Sequence, residues 1–172
     1  MKQIFKLIKE WVPGIIIALI LTFFIRTYVV EATIVPTGSM IPTIEINDRI
    51  MVEKITDADE LKRGDIVVFY PPIQEEIPYV KRLIGIGGDV IEVKGGYLYR
   101  NGEKLVEPYI EDPMTYRFGP VKVPEGKFLF LGDNRNHSYD SHLWPKQFVD
   151  SEDIIGKALF RFYPFSKIGL LK

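Results

Sequence analysis

A hydroxyl, an amine and a dense polar loop stand on three separate segments of this 172-residue chain. The first segment is Ile34-Val35-Pro36-Thr37-Gly38-Ser39-Met40-Ile41-Pro42-Thr43, where two prolines bracket a Gly-Ser pair after a β-like run. Proline fixes φ on either side and Gly38 has no Cβ, so the loop is stiff, presents the Ser39 hydroxyl and lets another chain approach its backbone. An ordinary turn also favours Pro, Gly and Ser, and the tripeptide alone does not separate the two readings. The second segment sets Lys81 in the apolar run Tyr79-Val80-Lys81-Arg82-Leu83-Ile84. Period-two alternation puts Tyr79 and Leu83 on its face and Val80, Arg82 and Ile84 on the other. Burial disfavours an ammonium and lowers a lysine pKa, which lets the amine take a proton from a serine near neutral pH. An exposed, solubilising lysine is the competing reading, and Arg82 is expected to face away and stay solvated. The third segment, Gly132-Asp133-Asn134-Arg135-Asn136-His137-Ser138-Tyr139-Asp140-Ser141-His142, follows an apolar strand ending at Leu131. Its polar density suggests a hydrogen-bonded loop, with a plain surface turn as the alternative.

Composition narrows the chemistry. Cysteine is absent, which removes disulfides, thiol nucleophiles and cysteine-ligated zinc. The only histidines are His137 and His142, so any catalytic scheme works with few imidazoles. A triad of Ser39 with one of them and an aspartate stays open. A metal set of His137, Asp140 and His142 lacks the third histidine or cysteine that usually completes one. Lys and Arg number 22 against 23 Asp and Glu, so no strongly basic surface advertises nucleic acid as a partner. At 47% apolar, the chain holds one ordinary domain plus an appendage.

That appendage is amino-terminal. Residues Val12 to Ile25 form an uncharged run preceded by Lys2, Lys6 and Lys9. Fourteen helical residues cover only about 21 Å of a hydrocarbon core of roughly 30 Å, so the run needs its flanks, with Arg26 snorkelling outward. The reading is one anchor helix over about residues 7–27, whose basic flank predicts a cytoplasmic amino terminus. A removed signal peptide competes, since Val30-Glu31-Ala32 resembles a cleavage site, as does a buried core helix.

Beyond residue 30 the periodicity changes to short extended runs, including Asp65–Tyr70, Tyr79–Ile84 and Lys127–Leu131, separated by frequent turn signals. Asn101-Gly102 is the clearest two-residue hairpin turn. The expected fold class is mostly β: an antiparallel β-sheet domain with a smaller hairpin insertion, preceded by one amino-terminal transmembrane helix. Residues 1–27 form the stub and anchor, residues 28–172 the main domain, and about 90–120 an inserted lobe with a structural role.

Together these segments resemble type I signal peptidases. The resemblance runs through Pro36-Thr37-Gly38-Ser39-Met40 with Pro42-Thr43, Gly64-Asp65-Ile66-Val67-Val68-Phe69, Lys81-Arg82-Leu83-Ile84-Gly85 followed by Gly88-Asp89, and Gly132-Asp133-Asn134-Arg135 through Ser138, Asp140 and Ser141. Each match is weak alone, while four in order after an anchor are specific. The compact length is similar to single-spanning members common in Gram-positive bacteria. The resemblance implies Ser39 as nucleophile, Lys81 as general base, Thr37 with the Ser39 N–H as oxyanion donors, Ser138 orienting the amine, and Asp133, Asp140 and His142 as structural support. It implies no cofactor and no metal. Two positions depart from the pattern: His142 stands where Arg is usual, and Pro145 follows Trp144 in place of Gly.

The expected substrates are exported preproteins with signal peptides, cut after small residues at a bacterial cell membrane with the peptidase domain outside. Membrane lipid and the translocation machinery are the further expected partners. Thirteen residues separate Arg26 from Ser39, so the site lies within about 43 Å of the anchor's end. Ile34, Val35, Ile84 and Ile86 flank the catalytic segments and are candidate substrate-pocket residues. A self-cleaving Ser/Lys protease and a non-catalytic membrane-anchored β binding module remain as alternatives.

Overall fold

The computed structural model describes residues 2–54, 57–73 and 77–171, with residues 2–10 described by their backbone. Helix α1 (Lys2–Tyr28) has 27 residues, or about 40 Å at 1.5 Å per residue, enough to cross the hydrocarbon core. Its stretch Trp11–Val29 is long and apolar enough for a membrane span, and none of it is buried within the described fold. Within Trp11–Val29 the Ile, Leu and Phe side chains are all at least 40% exposed, a face that water does not favour. The candidate cleavage point after Ala32 lies inside strand β1 (Val30–Ile34), which pairs over its whole length with β2 (Arg49–Glu53). Cutting there would break a strand of the folded domain, an argument for a retained anchor.

The rest is antiparallel β-structure, as the alternating runs and turn signals predict. The main sheet continues through β3 (Ile66–Phe69), β4 (Tyr79–Ile86), β9 (Lys127–Leu131), β10 (Val149–Asp150) and β11 (Ile154–Tyr163). The strand order is β1-β2-β11-β3-β4-β9-β10, with the short β12 (Gly169–Leu170) added to β11. Thus β1 is an edge strand and β4 a central one. A smaller sheet, order β7-β6-β5-β8, is built from β5 (Val90–Lys94), β6 (Tyr97–Arg100), β7 (Glu103–Lys104) and β8 (Phe118–Lys122). This is the expected hairpin lobe. Its turn at Asn101-Gly102 has φ of 55° and 84°, the left-handed pair that a two-residue type I′ hairpin needs, and Gly95-Gly96 makes a second such turn.

Three apolar clusters hold the layers. Val35, Met40, Ile44, Ile50, Val52, Ile66 and Val68 pack beneath the serine loop. Val67, Phe69, Leu83, Phe130 and Trp144 form a second cluster, in which Phe69 and Phe130 stack with centroids 4.1 Å apart. The third cluster joins lobe to sheet through Ile84, Ile91, Val93, Leu98, Val123, Leu129 and Leu131. Ile84 is therefore core and not pocket. Ile86 packs against the second cluster, so neither isoleucine takes the pocket position expected of it. Both lie on β4 beyond Lys81, whereas the residues of that strand that line the cleft beside Ser39 are Tyr79, Val80 and Lys81 at its start.

Candidate active site

β1 leads directly into the serine loop, and β4 carries Lys81 opposite Val67 of β3. The two meet: Lys81 Nζ lies 2.6 Å from Ser39 Oγ, with Ser39 8% and Lys81 3% exposed. Burial pulls the Lys81 amine down from its ordinary 10.5 to about 8, against an upward pull from the Asp140 and Asp133 carboxylates. The Tyr79 ring, on the same face as the alternation predicts, stands 5.0 Å from Nζ. An amine so placed is neutral in a usable fraction of molecules near pH 7 and sits within proton-transfer reach of one hydroxyl.

Thr37 Oγ1 is 3.3 Å from Ser39 Oγ. The Ser39 N–H donates to no group among the described residues, so the loop offers one uncommitted backbone donor and, hydrogen-bonded to the nucleophile itself, the Thr37 hydroxyl. Crowding at Gly38 comes from within the loop, where an added Cβ would stand 2.9 Å from Ile41 Cδ1. The close approach of another segment occurs at Gly132. A Cβ there would lie 2.3 Å from both the Ser39 carbonyl oxygen and Ser138 Oγ, so the polar loop seats against the serine loop only with glycine at that place.

The polar loop is a braced structure, not a surface turn. Asp140 accepts from the Gly132 N–H at 2.8 Å and pairs with His142 Nδ1 at 2.6 Å, and the His142 ring stacks on Tyr116 at 4.0 Å. Histidine in place of arginine thus gains a flat partner from the lobe. Arg135 is buried and pairs with Glu107 through two bonds of 2.7 Å. Trp144 is buried edge-on to Phe69, Tyr79 and Tyr139, a packing that Pro145 leaves intact.

Two expectations change here. Arg82 faces away from Lys81 but is not solvated: it is 1% exposed and pairs with Asp133 at 2.8 and 2.6 Å. It also donates to the Gly64 carbonyl at 2.7 Å and lies under the Tyr109 ring at 3.8 Å. The alternation rule gave its direction correctly, but the third segment and the lobe cover that face. Ser138 is 4% exposed, and its hydroxyl has no hydrogen-bond partner among the described residues, so the expected orienting bond to Lys81 is not formed in this structure.

A cleft of about 580 Å³ opens beside Ser39 and Lys81. Thr33, Ile34, Val35 and Pro36 line one side and Ile77, Pro78, Tyr79 and Val80 another, with Val68, Asn134, His137 and Tyr139 completing the lining. Ile34 and Val35 are where the sequence reading puts pocket residues. Val68 and Pro78 escaped it; pairing of Val68 with Val80 would have pointed to the first, but that register is invisible without the fold. The histidine alternatives are not assembled. His137 Nδ1 meets Asn134 Oδ1 and His142 meets Asp140, so neither engages Ser39. Among the described residues no three His, Cys, Asp or Glu side chains gather as a metal set.

Comparison with known proteins identifies the family. Residues 8–163 match the family described as signal peptidase, peptidase S26. The chain is 44% identical over 172 residues to signal peptidase I of Leptolyngbya laminosa, covering 95% of this chain and 84% of that one. It is 47% identical over 160 residues to a probable signal peptidase I-2 of Synechocystis, covering 90% and 72%. With signal peptidase I S of Bacillus subtilis it shares 38% identity over 175 residues, covering 95% and 93%. A serine and a buried lysine in contact at the mouth of an apolar cleft, on a β-fold led by an apolar helix, thus accompany a match over nearly the whole sequence: the chain belongs to the signal peptidase family, peptidase S26.

Proposed function

We propose that this chain is a membrane-anchored serine endopeptidase that removes signal peptides from exported preproteins, with Ser39 as nucleophile and Lys81 as general base. The observation that carries the reading is the 2.6 Å approach of the Lys81 amine to the Ser39 hydroxyl inside a desolvated site. The neutral amine takes the hydroxyl proton as Oγ attacks the scissile carbonyl carbon. Thr37 Oγ and the Ser39 N–H hold the developing oxyanion, and the ammonium returns the proton to the departing amine. Water then attacks the acyl-enzyme with the same base. Ser138, whose buried hydroxyl has no hydrogen-bond partner among the described residues, accepts an N–H from the Lys81 amine once Ser39 Oγ is acylated and so holds the base for the attacking water.

The basic amino-terminal flank sets the first residues in the cytoplasm and residues 28–172 outside. The substrate adds as an extended strand along the free edge of β1, with small side chains entering the depression formed by Ile34, Val35, Val68 and Pro78. Because enzyme and preprotein are both held by the membrane, they meet at raised effective concentration, whichever translocation machinery delivers the substrate. The test is a model preprotein incubated in detergent or lipid with wild type, Ser39→Ala and the double variant His137→Gln/His142→Gln, followed by sequencing of the product's amino terminus. Wild type and the double variant cut after a small residue, and Ser39→Ala does not. Product from Ser39→Ala at the wild-type rate ends the Ser/Lys reading, and loss of activity in a double variant that keeps the wild-type melting temperature favours a histidine mechanism.

Thr37→Val keeps the side-chain shape and removes the hydroxyl. Loss of an oxyanion donor lowers kcat by about 10²- to 10³-fold with little change in KM, which single-turnover and steady-state assays on one substrate resolve.

A further inference from the structure

We infer that Asn134 is a positioning residue of the oxyanion hole, acting through the Gly38–Ser39 peptide group. The inference rests on Ser39 being the nucleophile and adds a residue to its machinery. Asn134 Nδ2 donates to the Gly38 carbonyl oxygen at 3.0 Å, and the Asn134 backbone N–H donates to the Ser39 carbonyl at 3.0 Å. The Gly38 oxygen also receives the Ile41 N–H at 3.2 Å. That oxygen and the Ser39 N–H are the two ends of one peptide group. Donors on the oxygen draw electron density from the nitrogen and make its N–H a stronger donor, the cooperative polarisation of hydrogen bonds in series. The N–H so strengthened has no other partner among the described residues and adjoins the attacking oxygen.

The orientation of the amide is fixed by its neighbours. A carbonyl oxygen only accepts, so the NH₂ end faces Gly38, and the remaining Oδ1 lies 3.2 Å from His137 Nδ1, which therefore carries a proton. His137 thus keeps the amide from flipping. Asn134 and His137 both line the cleft, so the pair is close to bound substrate and yet touches the nucleophile only through backbone. Asn134 is half-buried, and its two bonds also serve to hold the serine loop; the experiment must tell polarisation from bracing.

Full-length enzyme in detergent is compared as wild type, Asn134→Ala, Asn134→Leu and Ser39→Ala, with melting temperatures recorded for each. Two probes are used: a substrate-derived peptide aldehyde, which adds Ser39 Oγ and develops the oxyanion, and the same peptide ending in an alcohol, which cannot. Removing a direct oxyanion donor costs about 10²- to 10³-fold, and weakening one by roughly 10–30% through its peptide group costs roughly two- to eightfold. The expected result for both Asn134 variants is a kcat lower by roughly two- to eightfold, KM unchanged, and aldehyde binding weakened in step with kcat while alcohol binding holds. Unchanged kcat and aldehyde affinity overturn the inference, as does equal weakening of both probes, which would mark Asn134 as a loop brace. A fully active Ser39→Ala control instead overturns the nucleophile assignment, and the inference with it.

Discussion

Lys81→Ala and Lys81→Arg each lower kcat by about 10³-fold or more, because the proton on Ser39 then has no acceptor: alanine has none, and a guanidinium stays charged at every usable pH. In the wild type, kcat/KM climbs about tenfold per pH unit through neutrality and levels off above about 8, where the buried amine has lost its proton. The same burial has a cost in stability. The unfolded amine titrates near 10.5 and the folded one near 8, so between these values the unfolded chain binds more protons and stability rises with pH. Below about 8 the penalty is present in full, on the order of 3 kcal/mol, and above about 10.5 it vanishes. Lys81→Met is accordingly inactive but melts higher than wild type at pH 7, and the gap narrows toward pH 10. A flat rate profile between pH 6 and 9, together with equal melting temperatures at both pH values, would contradict a buried catalytic amine.

Much of this was legible before any coordinates. The three segments that converge were each recognisable from residue type, and the Asn101-Gly102 hairpin, the β-rich pattern and the amino-terminal helix follow from local rules that tertiary packing does not override. What the sequence withheld depends on which faces are covered. Alternation told correctly that Arg82 and Ile84 point away from Lys81, but not that the polar loop and the lobe would enclose that side. The lobe reads as a structural insertion, yet Glu107, Tyr109 and Tyr116 brace Arg135, Arg82 and His142 from it. Such contacts join positions 26 to 28 residues apart in sequence, and no periodicity within either segment encodes them.

The buried pair of Arg82 and Asp133 is where that enclosure has its largest energetic consequence. Asp133 also accepts from Thr43 Oγ1 at 2.5 Å, so one carboxylate ties the lysine strand, the polar loop and the serine loop together. Arg82→Ala leaves this carboxylate buried without its ionic partner, frees the Gly64 carbonyl and opens space beneath Tyr109. Breaking a buried pair on one side costs about 3–5 kcal/mol, which for a domain of this size lowers the melting temperature by about 10 °C or more. Replacing both members with apolar residues removes the uncompensated charge. The double variant Arg82→Met/Asp133→Leu should therefore recover most of the lost melting temperature. It should not recover kcat, because the Thr43 tie goes with the carboxylate and the serine loop loses its register against Lys81. Thermal melts and kcat/KM on the two variants separate the outcomes. Full return of activity with stability would reduce the pair to packing, whereas a stable but slow double variant shows that it sets the distance between amine and hydroxyl on which the chemistry depends.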